Sequence, residues 1–221
     1  MKNIKKNYLY NLLYQILTLI TPLITTPYVS RVLGAEAIGE YSYSYSIVYY
    51  FMLAAILGTA TYAEREISFY QDDIIKRSAR FWDLFFLRCI TSSICMVAYV
   101  LSVGFICKDK IMAIIVSLNI ISVAFDTVWL FQGMEEFGRI TLRNAIIKVM
   151  TVALIFILVH NEGDIYRYAT IMSISPVISA ASLLPFIHEY VNKPELAQIH
   201  PFTDFKNIIQ LFIPTIAISI Y

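Results

Sequence analysis

Long apolar runs separated by short charged breaks repeat along this 221-residue chain. A membrane-spanning helix needs about 20 mainly apolar residues. On that rule the pattern predicts six full crossings, roughly Tyr8–Val29, Tyr41–Tyr62, Phe81–Ile106, Ile111–Phe131, Ala145–Val159 and Ile165–His188. A last run, Ile208–Tyr221, stops at the chain end after about 14 residues, too short to span comfortably. The expected fold class is all-α: a polytopic membrane helix bundle of six transmembrane helices plus the start of a seventh.

Composition supports a lipid solvent. Apolar residues make up 58% of the chain, charged residues 15%, and the mean hydropathy is +0.66. A soluble domain carries about 25% charged residues, and a chain this poor in charge would expose large apolar patches to water. The net charge of +1, with no basic stretch, gives no nucleic-acid signal. Cys89, Cys95 and Cys107 have no metal-ligand spacing and lie in one apolar run, as small buried residues of a helix would. A signal peptide is not expected. The first apolar run exceeds the roughly 7–15 residues of a signal core, and Arg31 separates it from the Ala35-Glu36-Ala37 site.

Basic residues set the expected orientation. Eleven fall in one set of loops: Lys2, Lys5, Lys6, Arg65, Lys76, Arg77, Arg80, Arg139, Arg143, Lys193 and Lys206. Four fall in the other: Arg31, Lys108, Lys110 and Arg167. The N-terminus is therefore expected on the cytoplasmic side of a bacterial plasma membrane.

Within the runs, polar positions are patterned. Asn11, Gln15, Thr18, Pro22 and Thr25 recur at steps of four and three, which puts them on one helical face. Interhelical packing and cavity lining are both consistent with that stripe. Pro22 and Pro27 predict a bend or break near the outer end of the first helix. Tyr41, Tyr45 and Tyr49 share a face expected at the outer headgroups. The segment 63–80 is expected to be a solvated connector, partly helical along the surface. Arg88 lies about 20 residues before the turn at Lys108-Asp109-Lys110 and Asp126 about 17 after it, so their depths differ by only about 5 Å. An intramembrane charge costs at least about 2.5–3.5 kcal/mol unless it is paired or wetted. An Arg88–Asp126 pair follows, either a clamp between two helices or a charge in a substrate or proton path. Arg139, Arg143 and Lys148 form a basic mouth that could receive phosphate. Positive-inside anchoring, with Lys148 snorkelling, would also explain them.

The stretch Thr26-Pro27-Tyr28-Val29-Ser30-Arg31-Val32-Leu33-Gly34, continuing to Gly39-Glu40-Tyr41, resembles the first-loop signature of bacterial polysaccharide biosynthesis flippases. These are the O-antigen and capsule repeat-unit flippases of the multidrug/oligosaccharidyl-lipid/polysaccharide exporter superfamily. The run from Asp126 through Trp129 and Gly133 to Glu135 resembles the family's fourth-helix motif. Asp164 to Tyr168, and Phe212-Ile213-Pro214 to Tyr221, resemble its sixth-helix entry and its seventh helix. The resemblance runs in order along the whole chain.

It implies a two-lobed transporter working by alternating access, of which this chain holds the N-terminal half. Residues 1–206 would be the first transmembrane lobe and 207–221 the truncated start of the second. The cargo would be an undecaprenyl-pyrophosphate-linked oligosaccharide repeat unit for capsule, exopolysaccharide or O-antigen assembly. Membrane lipids, polysaccharide polymerase and export machinery would be the other partners, with no cofactor. Arginine suits pyrophosphate because its planar fork gives bidentate, charge-assisted bonds. Arg31, Arg88 and Arg139, with Gln15 and Asn11, are the expected substrate-binding residues, and Asp126 with Arg88 the charge pair or coupling site. A headgroup anchor explains Arg31 equally well. As a half-length chain, the protein is expected to be a truncated product or a fragment of a longer one.

Two other readings compete: an ion-coupled multidrug exporter of the same superfamily, in which Asp126 would be essential, and an inactive truncated remnant. An enzyme is not expected. The sequence holds no D-x-D metal pair, no H-x-x-x-x-D pair and no P-loop, and His160, His188 and His200 are dispersed.

Overall fold

The computed structural model describes residues 4–107, 109–193, 199–210 and 212, with side chains from residue 12 onward except residue 13. Its described residues include the α-helices α1 (Ile4–Ile56), α2 (Thr59–Phe69), α3 (Ile74–Ile106), α4 (Lys110–Phe125), α5 (Val128–Gly133), α6 (Phe137–Leu158) and α7 (Ile165–Ala181), and residues 205–210 are helical too. Short 3₁₀ turns occupy Glu162–Asp164 and Leu184–Glu189. Five segments are long and apolar enough to cross a membrane: Tyr14–Phe69, Ile74–Ile106, Lys110–Gly133, Phe137–Leu158 and Glu162–Glu189. Large apolar side chains such as Leu19, Leu23, Leu101 and Ile157 point away from the protein interior. That is the pattern of a bundle dissolved in lipid. The chain is a multi-pass membrane protein.

The 53 residues of α1 would measure about 80 Å as one straight helix, against a hydrocarbon core of about 30 Å. The helix is broken at Gly34, whose φ of 76° and ψ of 167° are not helical. The expected break at the prolines is not where the chain turns. Pro22 and Pro27 sit inside the helix, while the hydroxyls of Thr21 and Thr25 donate back to the carbonyls of Leu17 and Thr21. Only glycine adopts the Gly34 conformation without strain, so the reversal falls there. A second break, at Leu57 (φ 47°) and Gly58 (φ 74°), ends α1 before the run predicted to reach Tyr62. A Cβ on Gly58 would lie 3.1 Å from the Ile208 carbonyl oxygen, so the backbone after Asp204 passes directly over this turn.

Other boundaries differ from the apolar runs for local reasons. α3 starts at Ile74, seven residues ahead of its apolar run, because Asp73 caps it. The Asp73 carboxylate accepts the amides of Ile75 and Lys76 at 3.2 and 3.1 Å. Asp109 caps α4 in the same way and also accepts the Tyr166 hydroxyl at 2.9 Å. The fourth run is not continuous: Asp126 and Thr127 leave the helix, and α5 begins at Val128. The sixth ends as α7 at Ala181 and continues as a 3₁₀ turn. The seventh run beyond Phe212 lies outside the described residues.

Two apolar cores are stacked along the bundle. One joins α1, α3, α4, α6 and α7 around Leu33, Val48, Tyr99, Val116 and Ala169. The other joins α2, α3, α5 and the start of α6 with Leu183, Ile187, Val191 and Ile208 around Ile67, Phe81 and Trp129. Of the tyrosine face of α1, Tyr41 belongs to the first core and Tyr45 packs against it, while Tyr49 is exposed. Tyr41 is buried, stacks on Tyr45 at 5.8 Å and meets Tyr168 edge-on at 5.2 Å. Turning inward gives Tyr41 an aromatic partner on α7 that a headgroup belt would not supply.

The connections sort to opposite ends. At one end the Tyr28 hydroxyl donates to the Val159 carbonyl at 2.6 Å, Tyr43 to that of Ile106 at 3.2 Å, and Gly34 faces Glu162. At the other, Arg80 pairs with Glu66 and Asp204 at 3.5 and 2.5 Å, and Arg139 with Glu189 at 2.8 Å.

Candidate functional site: a basic cavity between α1, α6 and α7

A cavity of about 650 Å³ opens between the first half of α1, α6 and α7. α6 contributes Arg143, Asn144, Ile147, Lys148, Thr151, Val152 and Ile155, one face at helical spacing. α7 supplies Met172, Ser175, Pro176 and Ser179, again one face. α1 supplies Tyr14, Thr21, Pro22, Thr25 and Thr26, and Val128 of α5 closes one side. The walls mix methyl groups with hydroxyls, and two side chains carry positive charge. Cations inside an apolar span are normally wetted or paired, and both Arg143 and Lys148 line this cavity.

Arg143 is partly committed. Its Nη1 donates to the Ser179 carbonyl at 2.7 Å, and Nε and Nη2 donate to Asn144 Oδ1 at 3.1 and 2.6 Å. These bonds hold the guanidinium plane across the α6–α7 gap. One turn further along, the Thr151 and Ser175 hydroxyls meet at 2.6 Å. Lys148 lines the same wall without an ion pair among the described residues. A positioned guanidinium beside a mobile ammonium combines directional and point-charge recognition of an oxyanion.

Behind the cavity lies a polar layer between the two cores. Arg88, 2% exposed, reaches from α3 to the break between α4 and α5. Its Nη1 donates to the Asp126 carbonyl oxygen at 2.9 Å and stands 3.6 Å from the Asp126 carboxylate. Trp129 Nε1 donates to the same carbonyl at 3.0 Å, and Asp126 Oδ1 accepts the Val128 amide at 3.2 Å. The helix break thus has its freed groups satisfied by a buried arginine and an indole. The Asp126 carboxylate is 36% exposed and also interacts electrostatically with Arg143. It stands between a buried arginine and a cavity arginine. Arg88 Nε, Ser92 Oγ and Thr127 Oγ1, all buried, have no hydrogen-bond partner among the described residues.

The residues singled out from the sequence do not converge. Arg88 and Asp126 meet. Arg31 is exposed near the Gly34 turn, away from the cavity lining. Arg139 pairs with Glu189 and lies over the rings of Phe186 and Tyr190 at 5.0 and 5.9 Å, also outside the lining. Gln15 is exposed and does not line the cavity, whereas Pro22 and Thr25 of the same stripe do. The side chain of Asn11 lies outside the described residues. Of the basic mouth, Arg143 and Lys148 face the cavity. The i, i+4, i+8, i+12 series Arg143, Ile147, Thr151 and Ile155, with Lys148 beside it, was the signal for this wall.

The family model for polysaccharide biosynthesis protein matches residues 4–221. The chain belongs to the polysaccharide biosynthesis protein family. It is similar to a protein of Escherichia coli (strain K12) named "Putative O-antigen transporter", at 25% identity over 225 aligned residues covering 99% of this chain and 54% of the relative. The chain therefore spans about half the length of that curated relative. No solved structure matches it.

Proposed function

We propose that the protein to which this chain belongs moves undecaprenyl-pyrophosphate-linked oligosaccharide repeat units across the bacterial plasma membrane by alternating access, for O-antigen, capsule or exopolysaccharide assembly. The observation that carries this is the placement of Arg143 and Lys148 in a hydroxyl-lined cavity within apolar spans. A pyrophosphate needs cations where lipid offers none, and a sugar needs hydroxyl and amide partners. Arg143 and Lys148 hold the anion, with Thr25, Asn144 and Ser175 beside the first sugars. Arg88 and Asp126 brace the α4–α5 break behind them, and Arg31 and Arg139 act at the two membrane faces.

In this reading α1 makes two crossings joined at Gly34, giving six crossings and the start of a seventh. The N-terminus is cytoplasmic in this reading, supported by the excess of Lys and Arg in one set of loops and by the ion pairs of Arg80 and Arg139 at the end opposite Gly34. A second body supplies the other side of the passage. The test is flipping of a fluorescent lipid-linked oligosaccharide by the full-length protein in proteoliposomes. Arg143→Ala and Lys148→Ala lose flipping, while a surface change such as Lys206→Ala retains it. Flipping untouched by both cavity changes removes the proposal.

The half-exposed Asp126 favours one other reading, ion-coupled export of a different cargo. In that case Asp126→Asn abolishes transport while Arg143→Ala and Lys148→Ala leave it intact.

A further inference from the structure

We infer that the groove between the start of α3 and the 3₁₀ turn Leu184–Glu189 is a binding site for an anionic phospholipid of the surrounding membrane. The groove encloses about 370 Å³, within the range of about 300–1,000 Å³ found for small-ligand sites. That volume accommodates part of one acyl chain rather than a whole lipid. Its floor is apolar: Trp82 and Phe85 from α3 face Leu184 and Ile187, which share one side of the turn at the three-residue spacing of a 3₁₀ helix. Its rim carries Lys193 and His188. Fat below and cation above is the chemistry of a lipid headgroup phosphate with its chain.

The groove is preformed. Three hydrogen bonds tie α3 to the segment carrying Lys193. Arg77 Nε donates to the Tyr190 carbonyl at 2.8 Å, the Asn192 amide donates to Ser78 Oγ at 2.8 Å, and Trp82 Nε1 donates to the Asn192 carbonyl at 2.8 Å. On the far side Arg139 holds the turn through Glu189 and the Phe186 ring. Lys193 is exposed, and the described residues give it no ion pair. A basic pocket at the end of a bundle rich in loop cations is where anionic lipids of the inner leaflet are recognised, and an indole such as that of Trp82, its N–H bonded to the Asn192 carbonyl, is a side chain suited to the interface. The site is remote from the lining of the α1–α6–α7 cavity, so it stands or falls separately from the transport reading.

The test uses the full-length protein in nanodiscs with phosphatidylglycerol bearing a diazirine in its acyl chain. Ultraviolet crosslinking is followed by peptide mapping. Adducts are expected on the Trp82–Phe85 and Leu184–Ile187 peptides, displaced by unlabelled phosphatidylglycerol and not by phosphatidylcholine. Lys193→Gln, a surface change that leaves the helices intact, lowers them about fivefold, as for loss of one basic residue near an anionic surface. Equal labelling by a phosphatidylcholine probe, or labelling indifferent to Lys193→Gln, overturns the inference. Displacement by a polyprenyl phosphate but not by phosphatidylglycerol also overturns it, and assigns the groove to a carrier lipid instead.

Discussion

Arg143 on α6 donates to the carbonyl of Ser179 on α7 across 2.7 Å. The bond stitches two helices together at the cavity wall and aims a guanidinium along it. It explains how an arginine is tolerated within an apolar span: Nη1 is satisfied by backbone, Nε and Nη2 by Asn144 Oδ1, and the side chain lines the cavity.

Arg143→Lys is therefore not a silent exchange. Lysine keeps the charge but loses the fork that bridges Ser179 and Asn144. Hydrogen bonds made by charged groups contribute about 1.5–3 kcal/mol, so affinity for the lipid-linked cargo falls about tenfold or more. Titration of the reconstituted protein with cargo, comparing Arg143→Lys with Lys148→Arg, checks this. The second change keeps a cation on the same wall and has the smaller effect.

The Arg88–Asp126 pair gives a stability cycle. Breaking a buried pair from one side costs about 3–5 kcal/mol, because the partner stays buried and uncompensated. Asp126 is partly exposed and its carbonyl remains for Arg88, so Asp126→Asn is the mild member. Arg88→Met, which leaves the carbonyl to Trp129 Nε1 alone and the carboxylate without its cation, is the severe one. Adding Asp126→Asn to Arg88→Met recovers part of the loss. Melting temperatures of the four proteins in detergent measure the coupling.

Three glycines separate backbone strain from crowding. At Gly34 a Cβ would meet only Glu162 Oε1, at 3.7 Å, yet φ is +76°. Gly34→Ala costs about 1–3 kcal/mol through the backbone alone. At Gly133 a Cβ would lie 2.7 Å from Ile67 and 2.9 Å from the Glu64 carbonyl, so Gly133→Ala forces α2 off α5 at about 1–3 kcal/mol. Ile67→Ala in the same protein relieves part of that crowding, since the Glu64 carbonyl stays in place. Gly39, helical and with nothing within 4 Å, is neutral or slightly stabilised as alanine. Thermal melts of the three variants rank them.

The cap of α3 is pH-sensitive. The Lys76 amide, followed by the Lys76 side chain and the Ile75 amide, holds the Asp73 carboxyl below its ordinary value. A depressed carboxyl stabilises the fold above its unfolded pKa of about 3.9 and loses that contribution as pH falls through the folded value. Amide exchange at Ile75 and Lys76 is expected to speed up below about pH 4 relative to a mid-helix amide of α3, after correction for intrinsic rates. In Asp73→Asn, whose side chain caps without titrating, that acid-specific change is absent.

Much of this architecture is legible in the residues, because lipid permits few solutions. Run lengths and the similar depths of Arg88 and Asp126 follow from helical rise and the cost of buried charge, whereas the caps Asp73 and Asp109 emerge only in the structure. What escapes the apolar pattern is local backbone. Asp126 and Thr127 interrupt a run that reads as continuous, since hydropathy does not register a carbonyl satisfied by a distant arginine. The prolines signalled a break that glycine makes twelve and seven residues later. The cavity is half legible. The α6 face Arg143, Lys148 and Thr151 is visible at helical spacing, but positive-inside anchoring explains the same cations, and only the packing of α1 and α7 around them separates the two. Arg31 and Arg139 carry the right chemistry and lie outside the lining, because charge type does not specify which way a helix face turns.

Solvent access to the cavity is the claim on which the rest depends. Single cysteines at Thr25, Ser175 and, as a lipid-facing control, Val97, in a protein with Cys89, Cys95 and Cys107 replaced, can be treated with a charged, membrane-impermeant thiol reagent in oriented proteoliposomes. The account predicts that Thr25→Cys and Ser175→Cys react, that added lipid-linked oligosaccharide protects both, and that Val97→Cys stays silent. Cavity cysteines as unreactive as the one at position 97 would contradict it.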